Sequence, residues 1–380
     1  MMRDIISPEL ADDASDLSAD LHDSMDEGCD DNSTDSLGFN EPIVSVITLS
    51  STSVLACSMD DKAYIVNIED SAKLNVIQTL EGHSDTVVSA AVSFKLGLIA
   101  TASYDCSVRL WSYNTFECLH VVDSLTSEID WVSWKEDGLT LLCGCQDGSA
   151  WLWDFDLEGQ IIKSTVLSSH TDMVTSGTFT SDGKMVITVS MDSLCIGWDL
   201  LTGKPLFKVR VANGGILCIK NHPDRNTVAL ATDAGELALV NYFTGKLVGI
   251  NKTHEAPIES AEFSPTGDFF CSGSTDGFIQ IREKTRLLNN YRHSIKADEM
   301  GISNIMWHET EKLILIGTVS GGLKVYDPLS GSCYLTLHGN QGPILSLCNV
   351  YLQNGQTAVF TGGDDASVRM FSIQLEDDDI

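Results

Sequence analysis

The chain has 380 residues, 43% hydrophobic and 20% charged, with a formal net charge of −31. So acidic a balance excludes the basic footprint that direct nucleic-acid binding needs and points to basic proteins as partners. No stretch approaches ~18 uninterrupted apolar residues, and Met1-Met2-Arg3-Asp4-Ile5-Ile6 lacks the apolar run of a signal peptide, so a soluble, cytoplasmic protein is expected, with a nuclear presence compatible.

Residues 1–34 come first. Residues 1–40 carry 12 Asp/Glu against the single Arg3, and with so little apolar content residues 1–34 read as a disordered acidic leader. Asp35-Ser36-Leu37-Gly38-Phe39-Asn40 then reads as a spare strand. From there one pattern recurs eight times: a small residue, a tight turn and an alternating strand that often ends in an aromatic. Examples are Ser103-Tyr104-Asp105-Cys106-Ser107-Val108-Arg109-Leu110-Trp111 and Asp365-Ala366-Ser367-Val368-Arg369-Met370-Phe371. Taking one turn residue from each gives positions 61, 105, 147, 192, 234, 276, 320 and 365, at intervals of 42 to 45 residues. That period is the one expected of WD repeats, each a four-stranded sheet unable to bury its faces alone. The expected fold is therefore all-β, an eight-bladed WD40 β-propeller over residues 35–375. The last repeat stops after its third strand, near Ile373-Gln374, so residues 35–40 are expected to supply its outer strand and remove an exposed edge. Residues 376–380 form an acidic tail.

Two repeats hold residues that resemble nucleophile sets: His83, Ser103, Asp105 and Trp111, and His170, Ser190, Asp192 and Trp198. His254, Ser274 and Asp276 form a partial third. A catalytic site needs one such set beside an oxyanion hole, whereas recurrence marks a packing device. The Asp should orient the His, the His bond the Ser, and the Ser reach the Trp. The 11 cysteines include Cys143 and Cys145, two apart on one strand face, but no Cys-x-x-Cys. They read as reduced, buried small hydrophobes. No catalytic residue, metal or cofactor is expected.

In a propeller of this kind, the loop before each innermost strand and the turn after the second strand share one end of the ring. The loops carry Glu41, Asp85, Glu128, Asp172, Glu255, Asp298 and Glu299, and the turns add Asp60, Asp233 and Asp364. So much like charge on one end is self-repelling, which a basic ligand would relieve. Trp131 is a candidate to stack on a partner's arginines. Trp134 sits where other repeats carry Val92, Phe179, Phe263 and Trp307, and is expected between blades.

Three stretches resemble the WD-repeat ribosome-assembly chaperones of fungi and their animal relative, angio-associated migratory cell protein. They are Glu128-Ile129-Asp130-Trp131-Val132-Ser133-Trp134 with 145–153, Val189-Ser190-Met191-Asp192-Ser193 with 198–208, and 315–327. The acidic leader and repeat count match as well. The resemblance implies a monomeric, non-catalytic chaperone that captures, on its acidic face, the basic N-terminal segment of a newly made large-subunit ribosomal protein of the L-sixteen class. The alternatives are a general acidic scaffold or a histone or chromatin adaptor. A ubiquitin-ligase receptor is disfavoured, because Trp153-Asp154-Phe155-Asp156 and Trp198-Asp199-Leu200-Leu201 lack the Arg of Trp-Asp-x-Arg.

Overall fold

Short runs rich in Val, Ile, Ala and Thr between polar turns favour strands, and the computed structural model arranges the described residues as 32 strands, β1–β32, in eight four-stranded antiparallel sheets. The structure describes residues 31–69, 72–211, 213–223, 225–308, 313–352 and 356–373. Blade 1 spans residues 43–80 (β2–β5), blade 2 87–122 (β6–β9), blade 3 129–168 (β10–β13) and blade 4 176–210 (β14–β17). Blade 5 spans 216–252 (β18–β21), blade 6 258–296 (β22–β25) and blade 7 302–337 (β26–β29). Blade 8 is β30 (Ile344–Tyr351), β31 (Thr357–Gly363) and β32 (Ser367–Ile373), with β1 (Asp35–Gly38) outermost.

The core lies between blades, since each sheet buries both faces only by stacking. Leu55 and Ile65 of blade 1, for instance, pack with Val87, Ile99 and Trp111 of blade 2. The turn between second and third strands holds one left-handed residue in every blade: Asp61, Cys106, Gly148, Ser193, Gly235, Gly277, Gly321 and Ala366. Glycine at four of the eight removes the Cβ penalty of that conformation. This register corrects the sequence alignment in blade 1. Asp61 matches Cys106, so Asp60, not Asp61, is the counterpart of Asp105.

The segment expected to close the ring lies where the short last sheet requires it. Asp35, Ser36, Leu37 and Gly38 face Met370, Arg369, Val368 and Ser367. Phe39 N–H donates to Ala366 O at 2.7 Å. The Asp35 carboxylate accepts Leu74 N–H at 2.6 Å, tying the latch to blade 1 as well. Residues 31–34, read above as part of the disordered leader, are seated on the propeller. Thr34 N–H donates to Met370 O at 2.7 Å, Asn32 N–H to His338 O at 2.8 Å, and Asp31 pairs with Arg369 at 2.5 Å. The rest of the leader, 1–30, and the tail, 376–380, lie outside the described residues.

Candidate protein-binding face

One backbone hydrogen bond recurs in all eight blades and defines an end of the ring. The turn amides of Met59, Tyr104, Gln146, Met191, Asp233, Thr275, Val319 and Asp364 donate to the loop carbonyls of Pro42, Thr86, Glu128, Met173, Gly215, Pro257, Gly301 and Pro343. Each bond is 3.0–3.2 Å long. Loop and turn are thus clamped together at the same end of every blade, and their acidic residues converge there. Glu41, Asp85, Glu128, Asp172, Glu255, Glu299 and Asp364 are exposed, and Asp233 is half-buried. Together they give one carboxylate to each of the eight blades. Lys252 and Lys296 partly neutralise Glu255 and Glu299, at 3.4 and 3.6 Å. Such exposed pairs contribute only about 0.2–1 kcal/mol each, so a cationic ligand can displace them.

Two residues assigned to this face from sequence serve the fold instead. Asp298 is buried, and its carboxylate accepts Met300 N–H at 3.0 Å, Gly301 N–H at 3.2 Å and the Ser320 hydroxyl at 2.5 Å. It occupies the register of His83 and His254, with Ser320 in that of Asp105, so blade 7 builds an acid–hydroxyl version of the same clamp. Asp60 is half-buried and accepts the Tyr64 hydroxyl at 2.5 Å. The tyrosine proton is held by burial and by that acid. Reasoning from sequence missed Asp130 and Glu259, the second residues of the inner strands β10 (Ile129–Trp134) and β22 (Ile258–Phe263). Burial pushes both carboxyls above their ordinary range, and Asp130 accepts Gln146 Nε2–H at 3.1 Å. Their shared register, one residue after the opening Ile, was the available signal.

The aromatic expectation changes for Trp131. Its Nε1–H donates to Val174 O at 2.8 Å, and its ring lies against Gly144 of its own blade and Gly177 of blade 4. Trp131 is a wedge between blades, not a platform for a partner's arginine. Trp134 is also packed, donating to Ala91 O of blade 2 at 3.3 Å and resting on Phe155 with ring centroids 5.1 Å apart.

The repeated polar sets are buried networks, with one member different from the sequence expectation. His83 Nδ1 meets Asp105 at 2.9 Å, but its Nε2 meets Thr101 Oγ1 at 2.8 Å, and Trp111 Nε1–H donates to the same hydroxyl at 2.9 Å. His170, Thr188, Asp192 and Trp198 repeat this, with 2.8 Å on both sides of the threonine. Ser103 and Ser190 sit two residues on. Their hydroxyls donate to Asp85 O and Asp172 O at 2.9 Å, which stitches the turn to the acidic loop. The donor order is thus indole to hydroxyl, hydroxyl to His Nε2, and His Nδ1–H to carboxylate. Burial keeps both histidines below their ordinary range despite the adjacent acid. For Asp105 burial pulls upward, but hydrogen bonds from Ser107, His83 and Ser84 outweigh it and hold the carboxyl below its ordinary range. In blade 6, His254 meets Ser272 at 2.9 Å, while Arg282 takes the tryptophan's register, with Nε and Nη1 buried and without a partner among the described residues.

A cavity of about 640 Å³ lies at the opposite end, lined by Ser133, Trp134, Lys135, Asp137, Phe179 and Asn221 among others. Lys135 and Asp137, two apart in one turn of its lining, pair at 2.8 Å. None of the acidic-end residues contributes to it.

The WD domain, G-beta repeat family matches residues 74–112, 116–154, 161–199, 245–282 and 331–372. Angio-associated migratory cell protein of Homo sapiens is 22% identical over 336 residues, covering 84% of this chain and 74% of the human protein. Sqt1 of Saccharomyces cerevisiae superposes with a TM-score of 0.82 at 18% identity, over 91% of this chain and all of the other. Sqt1 of Chaetomium thermophilum, in a crystal structure bound to the N-terminus of the ribosomal protein L10, superposes with a TM-score of 0.79 at 21% identity. That pair covers 90% of this chain and 100% of the other. With the repeat family matched over more than half of its length and eight sheets closed into a ring, the chain belongs to the WD40-repeat proteins.

Proposed function

We propose that this propeller is a non-catalytic chaperone that holds the basic N-terminal segment of a newly made large-subunit ribosomal protein on its acidic end, in the cytoplasm. The observation that carries the reading is the ring of eight carboxylates, one per blade: Glu41, Asp85, Glu128, Asp172, Asp233, Glu255, Glu299 and Asp364. A flexible cationic segment crossing the ring would meet a carboxylate at every blade, and several weak pairs add where one would not suffice. The likeness to a propeller bound to the N-terminus of the ribosomal protein L10 supports a client of that kind. The client class expected from sequence, the L-sixteen class, is part of the same proposal.

The test is binding of the full chain to a labelled N-terminal peptide of ribosomal protein L10 across a salt series, with a histone-tail peptide of matched charge beside it. Screening should weaken binding steeply. The triple variant Asp85→Lys, Glu128→Lys, Glu255→Lys should weaken it by about ten-fold or more, from three lost pairs at 0.2–1 kcal/mol each plus new repulsion. Equal binding of both peptides, or indifference to the reversals, would overturn the reading.

A further inference from the structure

The side of the disc carries a different charge from its end. The outer strands β5 (Leu74–Leu80), β9 (Cys118–Val122), β13 (Ile161–Ser168), β17 (Pro205–Arg210), β21 (Lys246–Lys252), β25 (His293–Lys296) and β29 (Cys333–Leu337) contain no Asp or Glu, in a chain that has 54. On blades 3 to 6 they carry Lys163, Lys208, Arg210, Lys246, Lys252 and Lys296. The segment joining the third and outer strands has four to six residues in blades 1–5 and 7, but nine in blade 6, residues 284–292. That longer loop adds Lys284, Arg286 and Arg292 and no acid. Lys252, Lys284, Lys296 and Arg292 are paired with Glu255, Asp268, Glu299 and Glu283. Lys208, Arg210, Lys246 and Arg286 are exposed and have no ion pair among the described residues. Aliphatic groups lie exposed between them, Leu206 at 56% and Val248 at 59%. Outer strands also offer an unpaired edge.

The described chain begins one blade away from this rim. Asn32 exchanges hydrogen bonds with His338, which directly follows the outer strand β29 of blade 7 and opens the loop to β30, so the first described residues sit where the acidic end meets the side of the disc, one blade from blade 6. Residues 1–30 hold ten Asp/Glu against Arg3, interleaved with Ile5, Ile6, Leu10, Leu17, Leu21 and Met25. Both its charge and its aliphatic content complement the rim, and 30 residues can span up to ~100 Å. A tether also sets an effective concentration of order millimolar, enough for individually weak contacts to hold.

We propose that residues 1–30 dock on the rim of blades 4 to 6, with carboxylates on Lys208, Arg210, Lys246 and Arg286 and aliphatic side chains over Leu206 and Val248. The leader is then a cover for the side of the propeller, distinct from the client-holding end, and its test does not touch that reading. Zero-length carbodiimide coupling of the full, dilute chain should join leader Asp/Glu to Lys208 and Lys246, and 0.5 M salt should abolish the links. Amide exchange of β21 should be several-fold slower in the parent than in K208E/R210E/K246E/R286E. It should be slower by the same factor than in a leader variant with Asp12, Asp13, Asp16, Asp20 and Asp23 changed to Asn, which alters no residue of the propeller. Links to lysines elsewhere, links only between copies, or β21 exchange unchanged in the leader variant would overturn the proposal.

Discussion

The hydroxyl that joins histidine to tryptophan offers a sharp test, because sequence and structure assign it to different residues. In Thr101→Val the side chain keeps its shape but loses the oxygen that accepts from Trp111 Nε1 and donates to His83 Nε2, at 2.9 and 2.8 Å. Trp111 and His83 are 3% and 8% exposed, so water does not replace the oxygen easily. Two buried polar atoms left unpaired at about 1–3 kcal/mol each give a loss of about 2–6 kcal/mol. Ser103 is buried as well, but the partners its hydroxyl serves, Asp85 O and Asp105 N–H, belong to an exposed and a half-buried residue that water can reach, so Ser103→Ala should cost about 0.5–1.5 kcal/mol. Denaturant unfolding of the two variants and of Thr188→Val in blade 4 supplies the comparison. The two threonine effects should add, since they act on separate networks. A Ser103→Ala loss equal to or larger than that of Thr101→Val would refute the assignment of the network.

Acidification should weaken the fold in two stages. Burial holds His83, His170 and His254 below their ordinary range, so the unfolded chain binds more protons, and their stabilisation is complete above about pH 6.5 and is lost as pH falls from there through their lowered folded values. Asp105 and Asp192 are also held low and add a further loss below about pH 4; a lower urea midpoint at pH 5.5 than at 7.5 is the expected result, and a higher one would show the histidines charged in the fold. Gly177→Ala would bring a methyl to 2.9 Å from Cζ2 of Trp131, and nearer still to Cη2, destabilising the fold by about 1–3 kcal/mol in denaturant unfolding. Asp298→Ala strips the acceptor from two backbone amides and Ser320 and should cost about 2–4 kcal/mol, whereas Glu128→Lys, on the exposed ring, should stay within about 0.5 kcal/mol on the same assay.

Eight turns at regular spacing made the ring legible in the sequence, and the missing last strand pointed to residues 35–40. Side-chain partners were harder to read, for identifiable reasons. Thr101 and Ser103 are two apart on one strand, share a face and both carry hydroxyls, so the pattern alone does not choose between them. Asp60-Asp61 offers two acids for one turn, and only the left-handed residue fixes the register. Asp298 reads as a surface acid because its loop is acidic, but it stands in a histidine's place and works through backbone amides, which leave no trace in residue type. Trp131 replaces the Ser45, Ser89, Ser260 and Ser346 of other blades, and its space exists only because Gly144 and Gly177 lack side chains on separate strands.

The pairing of β1 with β32 also sets an order of events. Asp35 is made early and Met370 more than three hundred residues later, so the two edges that join them wait as open edges through most of synthesis. Seven blades can stack as they emerge, each using neighbours close in sequence, but the ring can shut only after the final strand has appeared. Closure is therefore the contact with the largest loop entropy to overcome and the slowest to form. Once formed, it makes the two ends of the chain hold each other, so that opening any one blade interface strains the clasp as well.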